Sequence, residues 1–115
     1  MKSLGELEYL ILLALLRLGD DAYGVAVRQE IERRAGRRVS TGGLYTILAR
    51  LQDKGLVSSF VGEPTAERGG RRKKHYRLEH SGRQALARTH AAIRNMTEDL
   101  EDQLEALVPP QEAAP

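Results

Sequence analysis

The sequence predicts a mainly α-helical α+β fold: a winged helix-turn-helix followed by a long C-terminal dimerisation helix. Three observations carry this. Residues 39–57, VSTGGLYTILARLQDKGLV, read as a short amphipathic helix with a small, polar, uncharged start. Residues 68–78, RGGRRKKHYRL, read as a basic hairpin arm. Residues 81–107 carry leucines and an isoleucine at heptad spacing.

Helix 1 is expected over residues 4–18. It is apolar on most faces, which predicts burial on both sides. Its apolar run, residues 10–16, is far shorter than the roughly 20 residues a membrane span needs, and Glu6 and Glu8 before it do not suit a secretory signal. Gly19, Asp20 and Asp21 form a turn, with Asp21 as N-cap of helix 2. Helix 2 spans residues 22–35, and Val27, Ile31 and Ala35 mark its inward face. Gly36 ends it as a C-cap. Ser40 is the N-cap of helix 3, whose Leu44, Ile47, Leu48 and Leu51 face the core. Gly55 stops that helix.

Residues 56–61 are β-prone. Residues 63–70 contain Pro64, Gly69 and Gly70 and read as a loop. Residues 73–78 return as a second strand, so the two strands make a wing. Basic residues on an exposed hairpin also discourage edge aggregation, a bland reason for the same charges.

In the last helix Leu86, Ile93, Leu100 and Leu107 alternate with His90, Thr97 and Leu104, a 4-3-4-3 seam. The seam is imperfect, because His90 and Thr97 are polar. So long a helix exceeds what a small core can cover, and it is expected to pack against a partner chain. A single helix folded back on its own domain is the alternative. The chain thus divides into a winged domain (residues 1–80), a dimerisation helix (81–108) and a tail (109–115) expected to be disordered.

The 115 residues suit one domain with a modest core, which dimerisation would help. There is no Cys, which excludes disulfides and thiolate chemistry and fits a reducing cytoplasm. The net charge of +2 hides an asymmetry. Residues 28–88 hold 15 Lys or Arg against 6 Asp or Glu, a balance of +9; the remainder holds 3 against 10, a balance of −7. A basic middle between acidic ends points to a polyanion as partner for the middle.

In a helix-turn-helix the second helix offers its first turn to the major groove. Here that turn is Ser40, Thr41, Gly42 and Gly43, whose small side chains allow close approach and whose N–H groups favour phosphate oxygens. The hydroxyls of Ser40, Thr41 and Thr46 suit phosphates or base edges. Tyr45 lies off the apolar stripe and reads equally as a phosphate contact or as packing against helix 2. With Arg50 on the same helix, these are the expected DNA-contacting residues. No Arg, Asn or Gln occupies the first turn, so sequence choice is expected to rest partly on DNA shape. In the wing, Arg68, Arg71, Arg72, Lys73 and Lys74 supply charge for phosphates and the minor groove.

No catalytic constellation is present and no enzyme activity is expected. Gly42 and Gly43 open a helix but lack the Lys of a P-loop. His75, His80 and His90 lack metal-ligand spacing and read as structural or surface residues. Glu98, Asp99, Glu101 and Asp102 read as a solvated helix face. Neither metal nor cofactor is expected.

These residues resemble the PadR family of bacterial transcriptional regulators. The matching pieces are LGELEYLILLAL near the start, DAYG at residues 21–24, VSTGGLYTILARLQDKGLV, and RGGRRKKHYRL with Gly82 following. The short C-terminus is similar to the family's compact branch. The resemblance implies a homodimer on a pseudo-palindromic operator, usually a repressor, released in many members by a small molecule. It implies DNA contact by Tyr45 and the start of helix 3, with the wing in the minor groove. It places the dimer interface on the first and last helices: Leu7 and Ile11, then Leu86, His90, Ile93, Thr97, Leu100, Leu104 and Leu107.

Two departures stand out. Glu79 occupies the position where the family usually has Thr after the Tyr-x-Leu arm, so Ser81 is expected to take over as N-cap. No Trp is present, nor any Phe or Tyr after Tyr76, which argues against a drug site built on aromatic stacking. A winged-helix module that binds protein in place of DNA is the competing reading, and the basic wing argues against it.

Overall fold

The structure, a computed structural model, describes residues 4–62 and 73–109. Its elements are α1 (Glu6–Leu18), a 3-10 turn (Gly19–Asp21), α2 (Gly24–Ala35), α3 (Thr41–Asp53), β1 (Val57–Val61), β2 (Lys74–Leu78), α4 (His80–Thr97) and α5 (Glu101–Leu107). This is the expected winged helix-turn-helix.

One apolar cluster holds it together. Ile11, Leu12 and Leu15 of α1 meet Val27 and Ile31 of α2, Leu44, Leu48 and Leu51 of α3, Val57, Tyr76 and Leu78 of the hairpin, and Leu86 of α4. α1 is the hub, touching α2, α3, α4 and β2. It is not buried all round, however. Leu16 is 49% exposed, so one side of α1 stays open.

The helix-turn-helix ends where local chemistry says it should. Gly36 adopts φ 63°, a left-handed conformation that suits glycine, and its N–H donates to the Glu32 carbonyl at 3.0 Å. Ser40 caps α3, with its Oγ accepting from the Gly43 N–H at 3.0 Å. The turn after α3 uses Gly55 at φ 75°.

Three local expectations need correction. Asp21 is not the N-cap of α2. It lies in the 3-10 turn, and α2 begins at Gly24 after an extended Tyr23. Ala35 is exposed, so the inward stripe of α2 ends at Ile31, and Glu30 is the charged residue buried beside it. Ser81 is not the N-cap of α4. The Glu79 N–H donates to the Leu56 carbonyl at 2.9 Å, which keeps Glu79 extended and starts the helix at His80. Ser81 donates its hydroxyl to the Gly55 carbonyl at 2.7 Å and so ties α4 to the turn after α3.

The wing strands are antiparallel, from Val57 opposite Leu78 to Val61 opposite Lys74. Val57, Tyr76 and Leu78 face the core. The Tyr76 N–H donates to the Ala22 carbonyl at 2.8 Å, and Tyr23 bridges to His75. The loop before α2 therefore lies along β2 as a third short segment.

The expected single helix over residues 81–107 is two helices. α4 ends at Thr97; Glu98 is extended, and Asp99 has φ 65°. Charge favours the break modestly: in one continuous helix, Glu98 would face Glu101 and Asp102 across one turn, each like-charge pair costing about 0.2–0.5 kcal/mol. A fresh start instead places Glu101 and Asp102 in the first turn of α5, where the helix dipole favours anions. Asp tolerates the left-handed conformation better than most residues. The heptad stripe is therefore interrupted between Thr97 and Leu100. Of the expected tail, residues 110–115 lie outside the described residues.

Candidate nucleic-acid interface

The first turn of α3 stands on the surface. Ser40, Thr41 and Gly42 are exposed, and Gly43 is half-buried. Two of the three hydroxyls already have local work. Ser40 caps the Gly43 N–H, and Thr46 donates to the Gly42 carbonyl at 2.9 Å. Thr41, Thr46 and Arg50 are exposed along the same helix.

Tyr45 is both packed and exposed. It keeps 41% of its surface in solvent, yet its ring lies against Gly24 at the start of α2. A Cβ on Gly24 would stand 2.1 Å from the Tyr45 hydroxyl oxygen. Gly24 is therefore the seat that lets the ring lie down. Next to Gly24, Tyr23 carries the Lys73 ammonium over its ring, 4.1 Å from the centroid. The Lys74 ammonium is 5.7 Å from the Tyr76 centroid. Burial raises the Tyr76 hydroxyl pKa above its ordinary value, with a smaller push from nearby Tyr45.

The contacts Tyr45–Gly24 and Tyr23–Lys73 thus join the exposed side of α3 to the basic root of the wing through two consecutive residues. Sequence reading placed Tyr45 and Lys73 in the site but missed Gly24 and Tyr23. The motif DAYG signals a special glycine, but nothing local says which ring sits on it. Arg68, Arg71 and Arg72, expected to contact DNA, lie outside the described residues.

Among the described residues, the basic middle forms ion pairs through Arg33 and Arg34 with Glu30, Arg37 with Glu6, Arg38 with Glu32, and Lys54 with Glu8. Arg50, Lys73 and Lys74, on the candidate face, are in none of these pairs. Burial pushes the Glu30 carboxyl pKa up, but the Arg33 hydrogen bond and the charges of Arg33 and Arg34 outweigh it and leave a net lowering. The Lys54 hydrogen bond and the Gly5 N–H hold the Glu8 carboxyl pKa below its ordinary value, against a smaller opposing effect of burial.

The expected dimer residues fall into two sets. Ile11 and Leu86 are buried in the core of their own domain, 0% and 5% exposed; the apolar interior claims them first. Leu7 is half-buried against that core. Ile93, Leu100, Leu104 and Leu107 are exposed, and Thr97 donates its hydroxyl to the Arg94 carbonyl at 3.2 Å. His90 lies beside Tyr9, its Nδ1 3.4 Å from the hydroxyl. Leu13, Leu16, Leu86 and Ala87 line an apolar groove between α1 and α4, with Arg83 and His90 at its polar margin. Among the described residues no cluster of His, Asp or Glu is arranged to hold a metal ion, and no helix is long and apolar enough to cross a membrane.

The profile of the transcriptional regulator PadR-like family matches residues 12–88. The chain belongs to that family. Solved structures share the fold. A PadR family transcription regulator from Clostridium difficile R20291 superposes with a TM-score of 0.71 at 24% identity, over 87% of this chain and 99% of that one. A PadR-like transcription factor from Bacteroides fragilis gives 0.67 at 31% identity, over 84% and 87%. The protein smu.1704 from Streptococcus mutans UA159 gives 0.66 at 27% identity, over 90% and 91%. No curated protein matches the chain in sequence. PadR-like regulators bind DNA, so transcription regulation through DNA is the coarse function of this chain.

Proposed function

We propose that this PadR-like regulator is a homodimeric repressor of a pseudo-palindromic operator in the cytoplasm. Each copy seats the start of α3 in the major groove of one half-site and lays its wing on the adjacent backbone and minor groove. A small-molecule effector releases it.

One observation carries the reading. Tyr45 rests on Gly24 while Lys73 rests on Tyr23, so helix face and basic wing root lie side by side on one surface. A duplex touching one meets the other. In this reading Thr41, Tyr45, Thr46 and Arg50 face the groove, with Gly42 and Gly43 allowing close approach. Lys73, Lys74 and the arm carrying Arg68, Arg71 and Arg72 face phosphates. The dimer reading rests on the exposed Ile93, Leu100, Leu104 and Leu107 and on the open side of α1 at Leu16. An effector would be a small apolar molecule, because the groove between α1 and α4 has apolar walls and no Trp, Phe or Tyr among its lining residues.

The test is binding to a DNA fragment from upstream of this chain's own gene, across a salt series, beside a random duplex of equal length. The expected result is tight binding that exceeds the random duplex and weakens steeply with salt. Equal, weak binding to every fragment would turn the search toward an operator elsewhere or a protein partner.

A further inference from the structure

Three rings form a ladder across the outer face of the wing root. His75 lies opposite Phe60 in the hairpin register, and their rings stack at 5.2 Å between centroids and 21° between planes. On its other side His75 bridges to Tyr23, whose ring meets it edge-on at 5.7 Å. His75 Nδ1 lies 3.0 Å from the Asp20 carbonyl oxygen. A carbonyl only accepts, so Nδ1 carries the proton and donates it. Cations close both ends of the ladder: Lys73 over Tyr23 at 4.1 Å and the Arg77 guanidinium over Phe60 at 4.6 Å. Gly62 leaves room for the far edge of the imidazole, since a Cβ there would stand 2.7 Å from Nε2.

We propose that His75 is a positioning residue for DNA binding: it sets the angle of the wing root against α2 and α3, and so which phosphates Lys73 and Lys74 reach. The inference rests on the DNA-binding reading above. A two-stranded hairpin has little stability of its own and takes its orientation from what it packs on. The Tyr76 N–H bond to the Ala22 carbonyl, the Glu79 N–H bond to the Leu56 carbonyl and the buried Val57, Tyr76 and Leu78 anchor the inner face of the hairpin. The ring of His75 adds an anchor on the opposite face of β2. It grips β1 through Phe60 and the loop before α2 through Tyr23 and Asp20. That loop leads directly into Gly24, the seat of Tyr45, so wing and recognition helix are aimed from one point.

Fluorescence anisotropy of the full chain on its own upstream DNA and on a random duplex, across a salt series, tests this. His75→Ala should stay helical and bind the upstream DNA about tenfold more weakly. Its log–log salt dependence should be shallower by about 0.9 for each phosphate that Lys73 and Lys74 no longer reach. His75→Phe, which keeps the ring stacking, should restore the slope. A merely stabilising ring would lower the melting temperature and leave the slope of the folded protein unchanged. That outcome overturns the proposal alone. If His75→Ala does not fold, Phe60→Leu removes the same stack from the other strand and is read the same way. If the unmodified chain shows no salt-sensitive DNA binding, both the reading and this inference fall.

Discussion

Leu44, Leu48 and Leu51 of α3 are at most 1% exposed, whereas Leu100, Leu104 and Leu107, in and just before α5, are 40–76% exposed. Both sets are leucines at helical spacing. The difference lies in what surrounds them. α3 is packed by α1, α2 and β1, so its apolar stripe is closed by its own chain. α5 follows a sharp turn at Asp99 and lies beyond the reach of that core. The same pattern therefore marks a finished interior in one region and an unfinished surface in the other. The winged domain encloses its own core; the C-terminal arm has apolar area left to give.

Breaking each region should have opposite consequences. Leu48→Ala opens a cavity in the sealed core and should cost about 2–5 kcal/mol, read by urea unfolding at fixed protein concentration. A loss below about 1 kcal/mol would mean the core is looser than drawn. Ile93→Lys with Leu100→Lys should leave the winged domain folded yet raise the dimer dissociation constant at least a hundredfold, about 2.7 kcal/mol, with DNA affinity falling alongside. Light scattering that still shows a dimer would remove those residues from the interface.

Gly82→Ala probes where the two regions join. Its Cβ would stand 2.2 Å from the Leu56 carbonyl oxygen, and backbone cannot step aside as a side chain can. The expected cost is about 1–3 kcal/mol, seen as a lower melting temperature. An unchanged melting temperature would show that α4 moves freely against the domain. The smallest effect belongs to Glu8, bonded to Lys54 at 2.8 Å. Its folded pKa is lowered, so its contribution is fully present above its unfolded value. It is lost as pH falls through the folded value. Glu8→Gln should therefore cost about 0.2–1 kcal/mol at neutral pH and nothing in strong acid. Equal loss at both pH values would mean packing, not charge, is at stake.

Much of the winged domain was legible in residue order. Gly36, Ser40 and Gly55 punctuate α2 and α3 where expected, because caps and left-handed turns depend on a few adjacent atoms. The hairpin was legible as well, from β-prone residues on either side of Pro64, Gly69 and Gly70. The turn after Thr97 was not, because heptad counting assumes an unbroken helix and neither Pro nor Gly marks the break. Ile11 and Leu86 were placed in the dimer interface, because an apolar residue at the right spacing does not say which surface covers it.

The candidate site shows the same division. Ser40, Thr41, Gly42, Gly43, Thr46 and Arg50 follow one another on α3, so one helix presents them together. Chain order alone thus determined the fold class, the helix that follows the turn and the hairpin strands, since each rests on short-range spacing and capping. Only the tertiary structure decided that Tyr45 lies on Gly24, that His75 stands between Phe60 and Tyr23, and that the chain's own core does not cover the apolar arm beyond Thr97. Those outcomes depend on how elements far apart in sequence close on one another, and spacing along the chain carries no record of that distance.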